Sequence, residues 1–389
     1  MKETHKNILL CVTGGIAAYK AIDLASRLIK QGFAVKTILT KNALEFVTEL
    51  NFKAITANTA HTEMFAYSDP IPHISLADWA DLVVVAPATA NMMAKAAHGI
   101  ADDLMSSVLL AHTKPVLWVP AMNVHMLTHP ATRDNIHTLL NRGNYVLEPA
   151  TGMLACGYEG KGKFPPVEEI VFAVRTYINH KQDLKGRKLL ITAGGTSEAI
   201  DPMRQITNCS SGKTGIALAR AAALRGAEVH LVYGNIAVEL PYHLKEVIFA
   251  PTVNSMKKAV DALYPKMDIT IMAAAVSDYT PGKVSQEKIK KQASLKLELV
   301  QTPDILAGLG KLKKIGQLLI GFAAESENII ENAKTKLEKK NLDMIVANHL
   351  KVSGKDDTEV VLITTKTSKT LKGDKFDAAH SILSCIILI

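Results

Sequence analysis

The sequence predicts an α/β protein built as two doubly wound domains. Three observations carry that expectation. Short apolar runs alternate with segments of helical periodicity, the pattern of parallel strands buried between helices. That pattern stops and restarts at a polar segment, HKQDLKGRK (180–188). Each half also opens on a strand that ends in a glycine pair, Gly14-Gly15 and then Gly194-Gly195. A chain of 389 residues exceeds one ordinary core, so domains are expected over 1–183 and 184–389.

The elements follow in order. NILLCV (7–12) ends at Thr13-Gly14-Gly15 and is read as the first strand. Residues 17–31 place Ala17, Ala21, Leu24, Ala25 and Leu28 on one helical face, and Gly32 closes that helix. AVKTIL (34–39), DLVVVAPA (81–88) and PVLWVPAM (115–122) are further strands, and a helix covers 167–179. In the second half RKLLITAGG (187–195) repeats the opening, followed by a helix over 213–225 and the strand EVHLVY (228–233). DITIMAAAV (268–276), QLLIGFAA (317–324), LDMIVAN (342–348) and EVVLIT (359–364) are the later strands. The segment 278–302 interrupts with proline, glycine and clustered lysines. It is expected as a long loop, partly a hairpin, and loops of that length tend to carry function. Ligands of such sheets bind beyond the carboxyl ends of the strands. In the first half those ends are Thr13-Gly14-Gly15, Pro87-Ala88-Thr89 and Pro120 to Asn123.

Composition bounds the function. With 48% hydrophobic and 21% charged residues the chain is ordinary globular protein. Cys11, Cys156, Cys209 and Cys385 form no C-x-x-C pair, which disfavours a zinc site or a disulfide framework and fits a reducing compartment. The first apolar run is too short to span a bilayer and lacks a small-residue cleavage site, and the closing SILSCIILI is also too short. A cytoplasmic protein without membrane contact is expected. Residues 1–180 carry 15 basic and 15 acidic residues, so the whole net charge of +8 lies beyond them. Such an excess is a solvated lysine-rich face or a site for polyanionic small molecules. Nucleic acid is disfavoured, because no aromatic residues interleave with the basic ones.

Several residues have chemistry to offer. The turn Thr13 to Lys20 runs straight into a helix, where free N–H groups can meet a phosphate, but G-x-G-x-x-G is absent. Taken alone it is a tight βα turn. His73 taken alone is a surface or core histidine, and Asn123 a turn cap or an oxyanion binder. Cys156 lies in TGMLACGYEGKGKF (151–164), whose four glycines suit a mobile flap, so a proton-donating thiol is the better reading. TGGIAAYK, HISL, APATANMMAK, PAMN and ACGYEGKG occur in this order over residues 5–180. Together they resemble the flavin-dependent cysteine decarboxylases, specifically the phosphopantothenoylcysteine decarboxylases. The resemblance implies flavin mononucleotide (FMN) at the strand ends, held by Gly14, Gly15, Thr40, Ala88 and Thr89. It implies His73 as the active-site histidine, Asn123 on the substrate carboxylate and Cys156 as the thiol that reprotonates the product. The implied chemistry oxidises the cysteine C–S unit to a thioaldehyde, loses CO₂ to an enethiolate, and returns the electrons with a proton from Cys156.

In the second half, ITAGGTSEAIDPMRQITNCSSGKTG (191–215) precedes a helix. A Walker A loop would need glycine at 207, which is threonine, so the P-loop reading fails and a general anion site remains. Asn208 lies before that site, Asp278 is expected at the end of its strand, and EKIKK brings Lys288, Lys290 and Lys291. Lys336 and Lys340 have i, i+4 spacing and are expected on one helix face. TAGGTSEAIDPMR, TNCSSGKTG, AAAVSDY, EKIKKQ, TPDIL and GFAAES resemble the phosphopantothenate–cysteine ligases over roughly residues 187–365. Bacterial forms of that family are fused to the decarboxylase in this order. The resemblance therefore implies two Rossmann-like domains, a flavoprotein decarboxylase type and then a ligase type. It implies substrates 4′-phosphopantothenate, cysteine and CTP, with Mg²⁺ and an acyl-cytidylate. Asn208 is implied at the acyl-cytidylate and Lys288 in its onward reaction. Met272, Ala273, Ala274, Asp278, Pro303, Asp304, Ile305, Leu306, Phe322, Lys336 and Lys340 are implied at the nucleotide. No metal ligands are assigned. Gly195, Met203 and Thr214 depart from the family's common residues without removing a reactive group. The resemblance also implies a homo-oligomer of decarboxylase trimers linked by ligase dimers.

Two rivals remain. An NAD(P)-dependent oxidoreductase on tandem Rossmann domains is opposed by the missing glycine fingerprint and ribose-binding acid. A non-catalytic nucleotide-binding regulator would leave Cys156 and the EKIKK loop without purpose.

Overall fold

The run Asn7–Val12 forms β1, buried from Ile8 onward, in a computed structural model that describes residues 6–65, 71–155, 157–241, 243–291, 293–325, 329–349 and 357–389. The chain divides into two units, Met1–Lys181 and Gln182–Ile389. In the first, β1 is joined by β2 (Ala34–Leu39), β3 (Ala60–His61), β4 (Leu82–Ala88), β5 (Val116–Pro120) and β6 (Tyr145–Val146). All pair in parallel, in the order β3-β2-β1-β4-β5-β6. Every residue of β4 is buried, which is why its sequence is continuously apolar rather than alternating. The helix Ala18–Lys30 buries Ala18, Ala21, Leu24, Ala25 and Leu28 against the sheet, each leucine contributing about 1.5–3 kcal/mol. Gly32 stops it in the left-handed region at φ +86°. Strand order reverses between β1 and β4, so the crevice beyond their carboxyl ends is the switch point. The glycine-rich segment after β6 forms an antiparallel hairpin, β7 (Ala150–Met153) with β8 (Glu159–Lys163).

The second unit has an eight-stranded sheet built on β9 (Lys188–Ala193). The hairpin β10 (Ser197–Asp201) and β11 (Arg204–Thr207) stands outside that sheet. Then come β12 (Glu228–Tyr233), β13 (Glu246–Phe249) and β14 (Ile269–Met272). β15 (Tyr279–Pro281) and β16 (Leu299–Gln301) pair within the expected long loop. β17 (Leu318–Glu325), β18 (Met344–His349), β19 (Asp357–Ile363) and β20 (Ser368–Asp374) complete the set. The sheet order is β13-β12-β9-β14-β17-β18-β19-β20. Its first six strands repeat the topology of the first unit, with the switch point between β9 and β14. Two expectations are corrected. The sheet is not wholly parallel, since β19 and β20 extend it as an antiparallel edge. The strand expected over 268–276 ends at Met272, because the next residues leave the sheet to follow the glycine turn: Ala275 N–H donates to Gly194 O at 2.8 Å, and Thr196 N–H to Ala275 O at 3.3 Å.

The polar joint is clamped onto this second unit. Arg225, only 1% exposed, donates through Nε and Nη2 to Asp183 at 2.7 and 2.6 Å. Its Nη1 donates to His380 O and Ser384 Oγ of the last helix, Lys375–Ile387. The two partners are not equivalent. Asp183→Ala strands a buried guanidinium and is expected to cost about 2–3 kcal/mol, the low end for a broken buried pair because Asp183 is half-exposed. Arg225→Met leaves an aspartate that water satisfies and is expected to cost less. Urea unfolding of the full chain, with exchange protection read in the last helix, checks the order; a milder Asp183→Ala would contradict it. Among the described residues no helix is long and apolar enough to cross a membrane.

Candidate active sites

In the first unit the turn after β1 is fixed by Thr13. Its buried hydroxyl donates to Pro87 O at 2.7 Å and accepts from Thr89 N–H at 3.0 Å, which ties the ends of β1 and β4 together. Gly14 lies against the turn after β2: a Cβ there would sit 2.4 Å from Asn42 Cβ and 2.7 Å from its carbonyl. Gly15 faces open space, with nothing within 4 Å of such a Cβ. Thr40 caps the short helix Lys41–Glu45 by accepting from Ala43 N–H, and Thr89 caps Ala90–His98 by accepting from Met92 N–H. Both hydroxyls keep their O–H free to donate. Ala88 ends β4 and accepts from Ala121 N–H at 3.2 Å. Gly14, Gly15, Thr40, Ala88 and Thr89 thus occupy one sheet edge.

His73 is the second residue of Pro72–Trp79, a helix that starts on that same edge because it returns from β3 to β4. Its Nδ1 is buried with no hydrogen-bond partner among the described residues. Asn123 does not end a strand, since β5 stops at Pro120. It caps Val124–Thr128, accepting from His125 N–H at 2.8 Å. The β7–β8 hairpin reaches this point: Met122 N–H donates to Gly162 O at 3.0 Å, and the His125 and Tyr158 rings meet edge-on at 5.3 Å. A Cβ on Gly162 would lie 2.2 Å from Met122 O, so only glycine permits the approach. Cys156 lies outside the described residues. Cys11, buried inside β1, is the inert thiol of this unit, its ionisation suppressed by burial and then by Asp103.

The second unit repeats the threonine device. Thr192 Oγ1 accepts from Ala274 N–H at 3.1 Å, across the β9–β14 switch point. Asn208 Nδ2 donates to Ala275 O at 3.3 Å and Val276 O at 3.1 Å, so this side chain bridges the same crevice. Met272 ends β14, and Ala273 and Ala274 follow it. Asp278 is therefore not a strand end; its carbonyl accepts from Thr302 N–H at 3.0 Å and closes the β15–β16 hairpin. Pro303 follows that hairpin, and Asp304 caps Ile305–Leu312, bringing Ile305 and Leu306 into its first turn. Phe322 is half-buried in β17. Lys336 lies in Ile329–Lys339, but Lys340 falls just beyond it. Lys340 Nζ instead pairs with Asp304 Oδ2 at 2.8 Å. Burial opposes ionisation of Asp304, yet Lys340 and the helix N–H groups outweigh it and hold the carboxyl below its ordinary range.

Lys288, Lys290 and Lys291 line a cleft of about 290 Å³ with Arg204, Ile289 and Leu295, four cations and no carboxylate among the lining residues. Sequence reasoning placed Thr13 at a strand end without a role for its hydroxyl, and singled out none of Thr192, Asp201 and Arg204. The signal for the threonines was present in the paired T-G-G and T-A-G-G turns.

The family model described as Flavoprotein matches residues 1–179, and that described as DNA/pantothenate metabolism flavoprotein C-terminal domain matches 184–388. The chain is 47% identical over 370 residues to the coenzyme A biosynthesis bifunctional protein CoaBC of Bacillus subtilis, across 93% of this chain and 91% of that protein. The chain belongs to the CoaBC family. Coenzyme A biosynthesis by a flavoprotein decarboxylase and a ligase on one polypeptide is that family's function. The CoaBC protein of Borreliella burgdorferi is 38% identical, across 99% of this chain and all of that protein (100%). A solved C-terminal domain of a CoaBC protein is 40% identical and covers 52% of this chain and 95% of its own, at a TM-score of 0.45. A solved PPC decarboxylase, a cysteine-to-serine variant complexed with pantothenoylaminoethenethiol, is 30% identical and covers 44% of this chain and 97% of its own, at a TM-score of 0.40.

Proposed function

We propose that the second domain ligates cysteine to 4′-phosphopantothenate with CTP, through an acyl-cytidylate, and that the first domain decarboxylates the 4′-phosphopantothenoylcysteine to 4′-phosphopantetheine with FMN. The observation that carries this reading is the gathering of each motif set on the carboxyl edge of its own sheet, at a switch point fastened by a threonine hydroxyl.

The first domain's residues suit a flavin phosphate and ring. Gly15 leaves room for close backbone approach, the positive dipole end of the helix Ala18–Lys30 follows that turn, and Thr40 and Thr89 donate from hydroxyls that have no acceptor among the described residues. FMN, when bound, accepts two electrons from the cysteine C–S unit and later returns them. His73 offers its unpartnered Nδ1 at the same edge, Asn123 orients the substrate carboxylate, and Cys156 delivers a proton to the product carbon. Gly14→Ala forces the Lys41–Glu45 turn to retreat. At about 1–3 kcal/mol of overpacking, FMN retention through dialysis is expected to weaken about tenfold or more.

In the ligase domain Asn208 holds the activated acyl group, and Lys288 neutralises charge on the departing phosphate. Lys336 and Lys340 take the triphosphate, the latter after exchanging Asp304 for phosphate oxygens. No group of three or more His, Cys, Asp or Glu side chains among the described residues could hold a metal ion. Mg²⁺ carried in on nucleotide phosphates needs no such cluster. The exposed Ile16, Tyr19, Phe46 and Ile71 around the flavin edge support closure of the first domain by a second copy, and the family resemblance extends this to decarboxylase trimers linked by ligase dimers. Free thiols such as Cys11 and Cys385 fit the cytoplasm.

A coupled assay with each nucleoside triphosphate, followed by mass detection of the decarboxylated product, tests the whole reading. Pyrophosphate release that continues without 4′-phosphopantothenate would sink the ligase half. Colourless preparations that cannot take up added FMN would sink the decarboxylase half.

A further inference from the structure

The lysine-rich loop between β15 and β16 is exposed at Lys288, Lys290 and Lys291, yet its backbone is tied down at its middle. Ile289, half-buried between them, donates its N–H to Asp201 Oδ2 at 3.1 Å, and its carbonyl accepts from Arg204 Nη2. Ser285 N–H donates to Ile200 O at 3.0 Å, a second tie to the same hairpin. Asp201 is the hub. Its side chain is fully buried, 0% exposed. Its Oδ1 accepts from Met203 N–H at 2.8 Å and Arg204 N–H at 2.9 Å, which closes the β10–β11 turn. Its Oδ2 pairs with Arg204 Nη2 at 2.8 Å. One carboxylate therefore orders the hairpin, orients the arginine and holds the loop. Burial raises its pKa, but the Met203, Ile289 and Arg204 interactions outweigh that, so the carboxyl stays below its ordinary range. Removing it would leave the four cations of the cleft without the anion behind them.

We propose that Asp201 is a positioning residue for the ligase: by binding Ile289 N–H and Arg204 it holds Lys288 against the reacting phosphate, and it acts on cysteine transfer more than on nucleotide activation. This rests on the reading of Lys288 given above. Asn at 201 can still accept the Met203 and Arg204 N–H groups through one oxygen, but its amide nitrogen cannot accept from Ile289. The turn survives and the loop is released.

The test uses the full chain. In Asp201→Asn, trypsin is expected to cut after Lys288, Lys290 and Lys291 about tenfold faster than in the unaltered protein, since cleavage follows local opening. First-turnover pyrophosphate release should stay within about twofold and cysteine transfer should fall about 30-fold, a split that general loss of folding does not produce. The retained first-turnover pyrophosphate release reports that the ligase domain of the variant is folded. If the variant does not fold, the unaltered protein still decides: the anchored loop should resist trypsin well beyond the exposed turn at Lys366, and equal cutting at both would overturn the proposal. Impaired Lys288→Gln beside a normal Asp201→Asn also overturns it. A fully active Lys288→Gln instead removes the role of Lys288 on which it rests.

Discussion

Lys288→Gln is expected to trap the activated acid: pyrophosphate release in the first turnover persists, and transfer to cysteine falls about 100- to 1000-fold, the range for losing one preorganised electrostatic donor. The two half-reactions ask different things of the loop. On the proposed reading, forming the acyl-cytidylate is served by the nucleotide-borne metal and by Lys336 and Lys340, so the loss of one loop cation matters little. Displacement by the cysteine amine puts charge on the departing cytidylate, where Lys288 acts from the cleft it shares with Arg204, Lys290 and Lys291. Glutamine keeps a hydrogen-bond donor of similar reach but no charge, which separates electrostatics from shape. The neighbouring lysines set the lower end of the range, because they can partly replace the lost cation. Quenched-reaction mass spectrometry should find about one acyl-cytidylate per ligase domain in the variant, because transfer has become the slow step. Normal ligation in Lys288→Gln would contradict the role.

The fold was legible where burial is complete. Asn7–Val12, Ala34–Leu39 and Glu228–Tyr233 are strands over the residues expected, and Asn7–Val12, buried from Ile8 onward, shows the reason: a strand buried on both faces is written as an apolar run. The same rule misleads at Ala273–Val276. Those residues are equally apolar, but Ala275 pairs with the glycine turn, Ala274 N–H with the Thr192 hydroxyl and Val276 O with the Asn208 amide. Hydrophobicity reports burial and not the hydrogen-bond partner. The β10–β11 hairpin went unread for the opposite reason: Ser197, Glu198 and Asp201 are buried and polar, satisfied by partners far along the chain such as Val253 N–H and Ile289 N–H.

The sites divide in a similar way. Glycine turns and strand ends could be placed from local pattern alone, so Gly14, Ala88 and Thr89 arrive at one edge. Relations that span the chain could not. The i, i+4 spacing of Lys336 and Lys340 is real, but the helix stops at Lys339 and Lys340 turns to Asp304, 36 positions away, as Asp304 Oδ2 to Lys340 Nζ at 2.8 Å. Thr13 and Thr192 looked like parts of a turn. Their function as latches depends on which N–H the other side of the switch point presents, and that is set by strand order. The roles of His73, Asn123, Cys156, Asn208 and Lys288 came from motif resemblance, and their tests are chemical.

Cys156→Ser is expected to leave first-turnover CO₂ release within about threefold while slowing formation of saturated 4′-phosphopantetheine by about 100-fold or more, as for loss of a general acid. The thiol's place in the chain favours that division. Met153 ends β7 and Glu159 begins β8, and between them Leu154 N–H donates to Tyr158 O at 2.8 Å and Gly157 N–H to Leu154 O at 3.0 Å. That tight turn joins β7 to β8, and β8 is bonded to Met122, one residue before Asn123. The residue proposed to hold the carboxylate is thus tied to the hairpin proposed to deliver the proton. Serine preserves size and a hydrogen-bond donor, but its hydroxyl is a far weaker acid than a thiol. Carboxylate departure needs no proton from residue 156, whereas completing the product does. The intermediate that accumulates should be the enethiol, lacking two hydrogens relative to the product, and mass analysis of quenched reactions distinguishes the two. Saturated product at the unaltered rate would remove Cys156 from the mechanism and turn attention to His73, whose Nδ1 is buried without a hydrogen-bond partner among the described residues.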